Sequence, residues 1–287
     1  MSLHDCILRR GHCFDIVNPT TLPMIPGFDV VGKVVCSGES VSNFKAGDRV
    51  AALIRTGGNA RYVSVPASSL VRVPLQVDSA EAAAMVSTYT AAYQAMKLIS
   101  TEPGSIFSLK GKKVLIIGGM DSTGQALIQM CQKARAEIYA TAPERRHSYI
   151  KTILGATPLP EQNWLPAVQG EMDVVFDGLC EDGLVSATKA LKPKSGQLVC
   201  FGYSAVLKQE MGLLGAPLVA HFNKIRSFLA TEKSVDIWES FQRDPELFKV
   251  KKALISLGVH HGLRTHFFLL ACHLAFLRKT WHHCFNC

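Results

Sequence analysis

From Leu247 to the end of the chain there is no Asp or Glu, while Lys249, Lys251, Lys252, Arg264, Arg278 and Lys279 contribute six positive charges. The remainder holds 25 basic against 23 acidic residues, so the formal charge of +8 belongs to the tail rather than to the body. No nucleic-acid reading motif accompanies it, which excludes a nucleic-acid partner. Long apolar runs are also missing. The longest candidate, residues 267–277, is interrupted by His273 and is too short to cross a bilayer. The opening MSLHDCILRRGHCFDIV lacks the continuous apolar segment of a secretion signal. The nine cysteines are odd in number and scattered, unlike the spaced framework of a secreted disulfide domain. These absences predict a cytoplasmic chain with no membrane span and with reduced thiols.

What is present is enough apolar sequence, 48% of 287 residues, for one large or two ordinary domains. Residues 23–74 read as an all-β segment, with short alternating runs at 29–35 and 61–65 punctuated by glycines. An alanine-rich helical stretch follows at 79–98, with Asp78 or Ser79 as its cap. Pro103-Gly104 and the charged run from Lys110 mark a boundary. Beyond it strand and helix alternate. Residues 113–117, 137–141, 173–177 and 197–201 read as buried strands, and repeated βα units imply a parallel sheet with helices on both faces. In such a sheet the ligand sits at the carboxyl ends of the strands.

The stretch KVLIIGGMDSTGQALIQMC, residues 113–131, has the order strand, tight turn, helix, with apolar positions Ala126, Leu127, Met130 and Cys131 on the helix. In the dinucleotide fingerprint one glycine makes the turn, a second admits the pyrophosphate, and a third lets helix and strand pack. Gly119 and Gly124 fill the first and third places, and Asp121 stands in the second. A carboxylate there opposes a phosphate, while Asp121, Ser122 and Thr123 are all helix-capping types. The expectation is a dinucleotide loop of reduced affinity. After the second strand comes Ala142-Pro143-Glu144-Arg145-Arg146. An acidic residue here suits the ribose of NAD, but two guanidiniums suit a 2′-phosphate, so NADPH is favoured. A solvated first helical turn is the alternative.

Six words in order, IPGFDVVGKVV at 25–35, FKAGDRV at 44–50, ARYVSVPASSLVRVP at 60–74, the glycine loop, DVVFDG at 173–178 and GQLVCFG at 196–202, resemble the zinc-free medium-chain dehydrogenase/reductase superfamily. They are most similar to its quinone oxidoreductase, zeta-crystallin-like branch. The resemblance covers roughly residues 2–250. It implies an α/β chain: a GroES-like β domain over 1–98, N-terminally truncated, and a Rossmann doubly wound parallel sheet over 99–245. A divergent basic, His- and Cys-rich tail occupies 246–287. It also implies a nicotinamide cofactor, a small-molecule substrate and commonly a homodimer. Thr90, Gly178, Phe201, Gly202 and Tyr203 join Gly119, Ser122, Thr123, Gly124, Arg145 and Arg146 as cofactor-binding candidates.

No metal is expected in the body, because zinc-dependent relatives carry glycine, histidine, glutamate where this chain has Gly27-Phe28-Asp29. His282, His283, Cys284 and Cys287 could supply four ligands, but no separated second ligand pair accompanies them. The family's N-terminal pattern falls on Ser2, Asp5, Arg9, Gly11 and Cys13, with its asparagine replaced by Ser2 and its tyrosine by Cys13. Asp5, Arg9 and Cys13 are therefore the catalytic candidates, although Asp5 and Arg9 equally suit a structural ion pair. The tyrosine is the proton donor proposed in related enoyl-thioester reductases, so its loss shifts the expectation to quinone or activated carbonyl or alkene reduction. A non-catalytic dinucleotide-binding or structural homologue is the alternative, given the altered loop and termini.

Overall fold

The computed structural model describes residues 3–9, 23–99, 109–182, 184–201 and 232–234. The proposed tail, Cys13, Gly202 and Tyr203 lie outside the described residues. After helix α1 (Leu3–Arg9), three short strands, β1 (Asp29–Lys33), β2 (Arg49–Leu53) and β3 (Val71–Arg72), form an antiparallel sheet in that order. Ala51 and Leu53 of β2, together with Val73 and Val77 of the segment after β3, pack with Ala82 and Val86 of helix α2 (Ser79–Ile99).

Two features of this sheet differ from the reading of the sequence. The first run stops as a strand at Lys33, after which Val34 N still bonds Asp48 O at 3.0 Å and the chain turns away. Residues 61–65 form no strand, despite their alternation. Alternation supplies a face, but a strand also needs a partner. Here Tyr62 is left 67% exposed, and the neighbour of β2 on that side is β3.

α2 is capped by Asp78, whose Oδ1 accepts Ala80 N at 2.8 Å and Glu81 N at 3.3 Å. This settles the choice between Asp78 and Ser79. Arg49 braces the preceding segment, its guanidinium donating to Val77 O at 2.8 Å and to Ser79 Oγ at 2.9 Å. Asp29 ties the β sheet to the helix by accepting Ser87 N at 2.8 Å and Ser87 Oγ at 3.1 Å. The other end of α2 buries Tyr89, Ala92, Tyr93, Met96 and Ile99 in the largest core cluster.

That cluster lies beneath a six-stranded sheet of order β6-β5-β4-β7-β8-β9. Its members are β4 (Lys113–Ile117), β5 (Glu137–Thr141), β6 (Thr157–Leu159), β7 (Val174–Asp177), β8 (Gln197–Cys200) and β9 (Glu232–Ser234). Every pairing is parallel. Helices α3 (Ser122–Lys133), α4 (His147–Thr152) and α5 (Val185–Ala190) connect them. Val114, Leu115, Ile116, Val175 and Phe176 are fully enclosed or nearly so, as strands covered on both faces must be. The strand order reverses between β4 and β7, which opens a crevice at their carboxyl ends.

Candidate functional site

The crevice begins at the turn after β4. Gly118 has φ +85°, a conformation that L side chains rarely adopt, so the turn glycine is Gly118 rather than Gly119. Its N–H donates to the buried Thr141 Oγ1 at 2.9 Å, and Gly119 N donates to Thr141 O at 3.0 Å, fastening the turn to the end of β5. Gly119 has a packing role: a Cβ there would lie 2.8 Å from the Ala140 Cβ. At Gly124 a Cβ would come within 2.2 Å of Gly118 O, so only glycine lets α3 start this close to the loop. The third place of the fingerprint therefore does what the sequence predicts. Gly118 and Thr141 were missed; the signal for the first was the glycine doublet, while nothing local pointed to the second.

Asp121 occupies the N-cap position of α3 in extended conformation, with no side-chain hydrogen bond capping the helix. Its carboxylate folds back over the turn, where a Cβ on Gly118 would meet Asp121 Oδ2 at 3.2 Å. The side chain stands beside the loop rather than over the amides of the first helical turn. Ser122 is exposed and Thr123 half-buried at the start of this turn. The positive end of a 12-residue helix thus faces the crevice.

The next loop, after β5, forms a short turn at Glu144–Arg146 leading into α4. Arg145 is exposed and Arg146 half-buried, and among the described residues neither guanidinium is in an ion pair. The Arg146 charge is felt at Tyr149, whose phenol is pushed up by burial and partly restrained by that arginine. Tyr89, which donates to Gln129 Oε1 at 2.6 Å, is raised by burial and by Tyr149 to about 12.

A third loop leaves β7 at Asp177, which is 3% exposed. Its Oδ1 accepts Leu179 N at 2.9 Å and Cys180 N at 2.8 Å, so the carboxylate shapes the turn. Burial pushes its pKa up; the two amides oppose that shift, and Asp182 and Glu181 add to it. Gly178 N bonds Ile117 O of β4, while a Cβ at Gly178 would strike the Phe201 ring at 2.7 Å. Phe201 N in turn bonds Asp177 O at 3.0 Å, bringing Gly178 and Phe201 together as one wall.

The other candidates are placed less centrally. Thr90 is 3% exposed on α2, with its hydroxyl donating to Val86 O one turn back. Asp5 is buried and Arg9 exposed, one helical turn apart on α1. Asp29, at the position following the missing zinc-ligand type, serves Ser87 of α2.

Residues 3–75 match the alcohol dehydrogenase GroES-like domain. The mouse "Synaptic vesicle membrane protein VAT-1 homolog-like" protein is 29% identical over 213 residues, 72% of this chain and 48% of that protein. The "Chloroplast envelope quinone oxidoreductase homolog" of Arabidopsis thaliana is 32% identical over 140 residues, 47% of this chain and 42% of that protein. The crystal structure of the human VAT-1 homolog-like protein superposes with a TM-score of 0.65 at 25% identity, over 90% of this chain and 73% of that one. The match spans about half the length of these curated relatives.

Proposed function

We propose that this chain, a relative of the zinc-free quinone oxidoreductase branch of the medium-chain dehydrogenase/reductase superfamily, is an NADPH-dependent reductase of a quinone or other activated carbonyl or alkene. The observation that carries the reading is the cradle at Gly118, Gly119 and Gly124, where side chains are excluded by contacts as short as 2.2 Å beneath a helix N-terminus. Such a surface lets a backbone approach a pyrophosphate closely. Arg145 and Arg146 stand at the end of β5, the position from which a fingerprint of this kind reaches the adenosine ribose. Two guanidiniums with no ion-pair partner among the described residues suit a 2′-phosphate through charge-assisted bonds.

In this reading the residues divide the work. Gly118 and Gly119, with the amides of Ser122 and Thr123, receive the pyrophosphate. Gly178 and Phe201 form the wall toward the reacting end. The bound nicotinamide supplies the hydride, and the protein's part is orientation and exclusion of water. The chloroplast relative's name favours a quinone as acceptor.

A second reading rests on Asp121. Its carboxylate beside Gly118 opposes phosphate binding, as a non-catalytic homologue would tolerate. The two are separated by titrating the purified chain with NADPH and NADH and then assaying a quinone panel. Saturable NADPH binding with quinone-dependent NADPH oxidation supports the first reading; no oxidation of NADPH by any quinone, with or without NADPH binding, supports the second.

A further inference from the structure

Two thiols stand at the carboxyl ends of β7 and β8, and the site described above uses neither. Cys200 closes β8, with its Cα in register with Asp177 of β7. Register partners in neighbouring strands put their side chains on the same face of the sheet. Cys200 therefore stands beside the Asp177 side chain, on the face built from Leu115, Ile117, Val175 and Leu198, and both Cys180 and Cys200 pack against that cluster. The turn after β7 brings Cys180 back to the same place. Its N–H is 2.8 Å from Asp177 Oδ1, and its sulfur is 3.7 Å from Asp177 O. That carbonyl is the one that accepts Phe201 N from the β8 side at 3.0 Å. The Cys180 thiol thus lies at the seam between β7 and Cys200's own strand. Both residues are half-buried and neither is in a disulfide. Cys180 holds φ 50°, a left-handed conformation unusual for a residue with a side chain, which turns it back over the strand ends.

We infer that Cys180 and Cys200 are an oxidisable thiol pair that closes into a disulfide across the ends of β7 and β8. Asp177 O, 3.7 Å from the Cys180 sulfur, is 3.0 Å from the amide of Phe201, the residue that follows Cys200, so the turn has to swing toward β8 to bring the two Cβ atoms to the roughly 3.8 Å that a disulfide needs. With hydrogen peroxide as oxidant, one thiolate attacks a peroxide oxygen and becomes a sulfenic acid, releasing water after proton transfer. The second thiolate then attacks that sulfur, the S–O bond breaks, and a second water leaves. Two thiols and one peroxide become one disulfide and two waters. The bond pins the turn at 178–180 to β8 and fixes the Gly178–Phe201 wall, which lowers dinucleotide affinity. That consequence rests on the cofactor reading; the disulfide does not.

The test treats the full chain with stoichiometric hydrogen peroxide, blocks remaining thiols with N-ethylmaleimide and maps tryptic peptides by mass spectrometry. The expected product joins peptides 152–189 and 195–208, and it is absent from both Cys180→Ser and Cys200→Ser. NADPH affinity is expected to fall about tenfold on oxidation, to recover with dithiothreitol, and to be insensitive to peroxide in either variant. Blocked, unlinked Cys180 and Cys200 in protein whose other cysteines have oxidised would overturn the pairing. The linked peptide with unchanged NADPH affinity would overturn the gating. A linked peptide in a chain that, when reduced, binds no NADPH would sink the cofactor reading and leave the thiol pair standing.

Discussion

In the proposed function the choice of cofactor rests on Arg145 and Arg146, two guanidiniums with no ion-pair partner among the described residues. Replacing both with alanine is expected to weaken NADPH by roughly 1–3 kcal/mol, the range for hydrogen bonds to charged groups, and to leave NADH nearly unchanged. Isothermal titration with each cofactor checks this, and equal losses would mean the arginines do not read the 2′-phosphate. Asp121 acts in the opposite sense. A carboxylate about 4 Å from a phosphate costs at most about 4 kcal/mol at an effective dielectric near 20. Because Asp121 is exposed, solvent screening leaves much less. Asp121→Gly is therefore expected to tighten NADPH and NADH alike by a modest factor. Unchanged affinity for both would show that its position beside Gly118 has no bearing on the phosphates.

The elements were legible to different degrees, for reasons that can be named. β4, β5, β7 and β8 could be read because strands buried on both faces are short, mostly apolar runs, such as Val114–Ile117 in β4 and Val174–Phe176 in β7, and the structure moves their ends by only a residue. Residues 61–65 misled because period-two alternation says nothing about a partner. The turn glycine was misplaced by one because adjacent glycines look alike in sequence, and only a positive φ at Gly118 separates them. The work of Thr141, Asp177 and Asp29 was invisible, since each holds a backbone amide from another element or a later turn. Asp177 makes an element-scale prediction. Its folded pKa is raised, chiefly by burial, so its contribution to stability is present below the unfolded value of 3.8 and is lost as pH rises through the folded value. Asp177→Asn keeps an oxygen for the Leu179 and Cys180 amides without the charge. Its melting temperature relative to the parent is expected to be higher at pH 7 than at pH 3.5. A difference that does not change with pH would show that the charge is not what burial opposes.

At the scale of the molecule, α2 is a member of both units among the described residues. Ala82 and Val86 pack beneath the antiparallel sheet, while Tyr89, Ala92 and Met96 belong to the core under the parallel one. The two units are therefore expected to lose structure together. Met96, fully buried, is the natural probe: Met96→Ala should cost about 2–5 kcal/mol. Hydrogen exchange should report that loss at the amides of both β2 and β4; protection lost at β4 alone would show that α2 does not couple them. The central claim, that the crevice between β4 and β7 is an NADPH site, is tested most directly by equilibrium titration of the reduced 287-residue chain with NADPH and NADH. Saturable one-to-one binding with NADPH preferred at least tenfold is the predicted result, whereas no binding of either nucleotide, or a preference for NADH, would contradict the account.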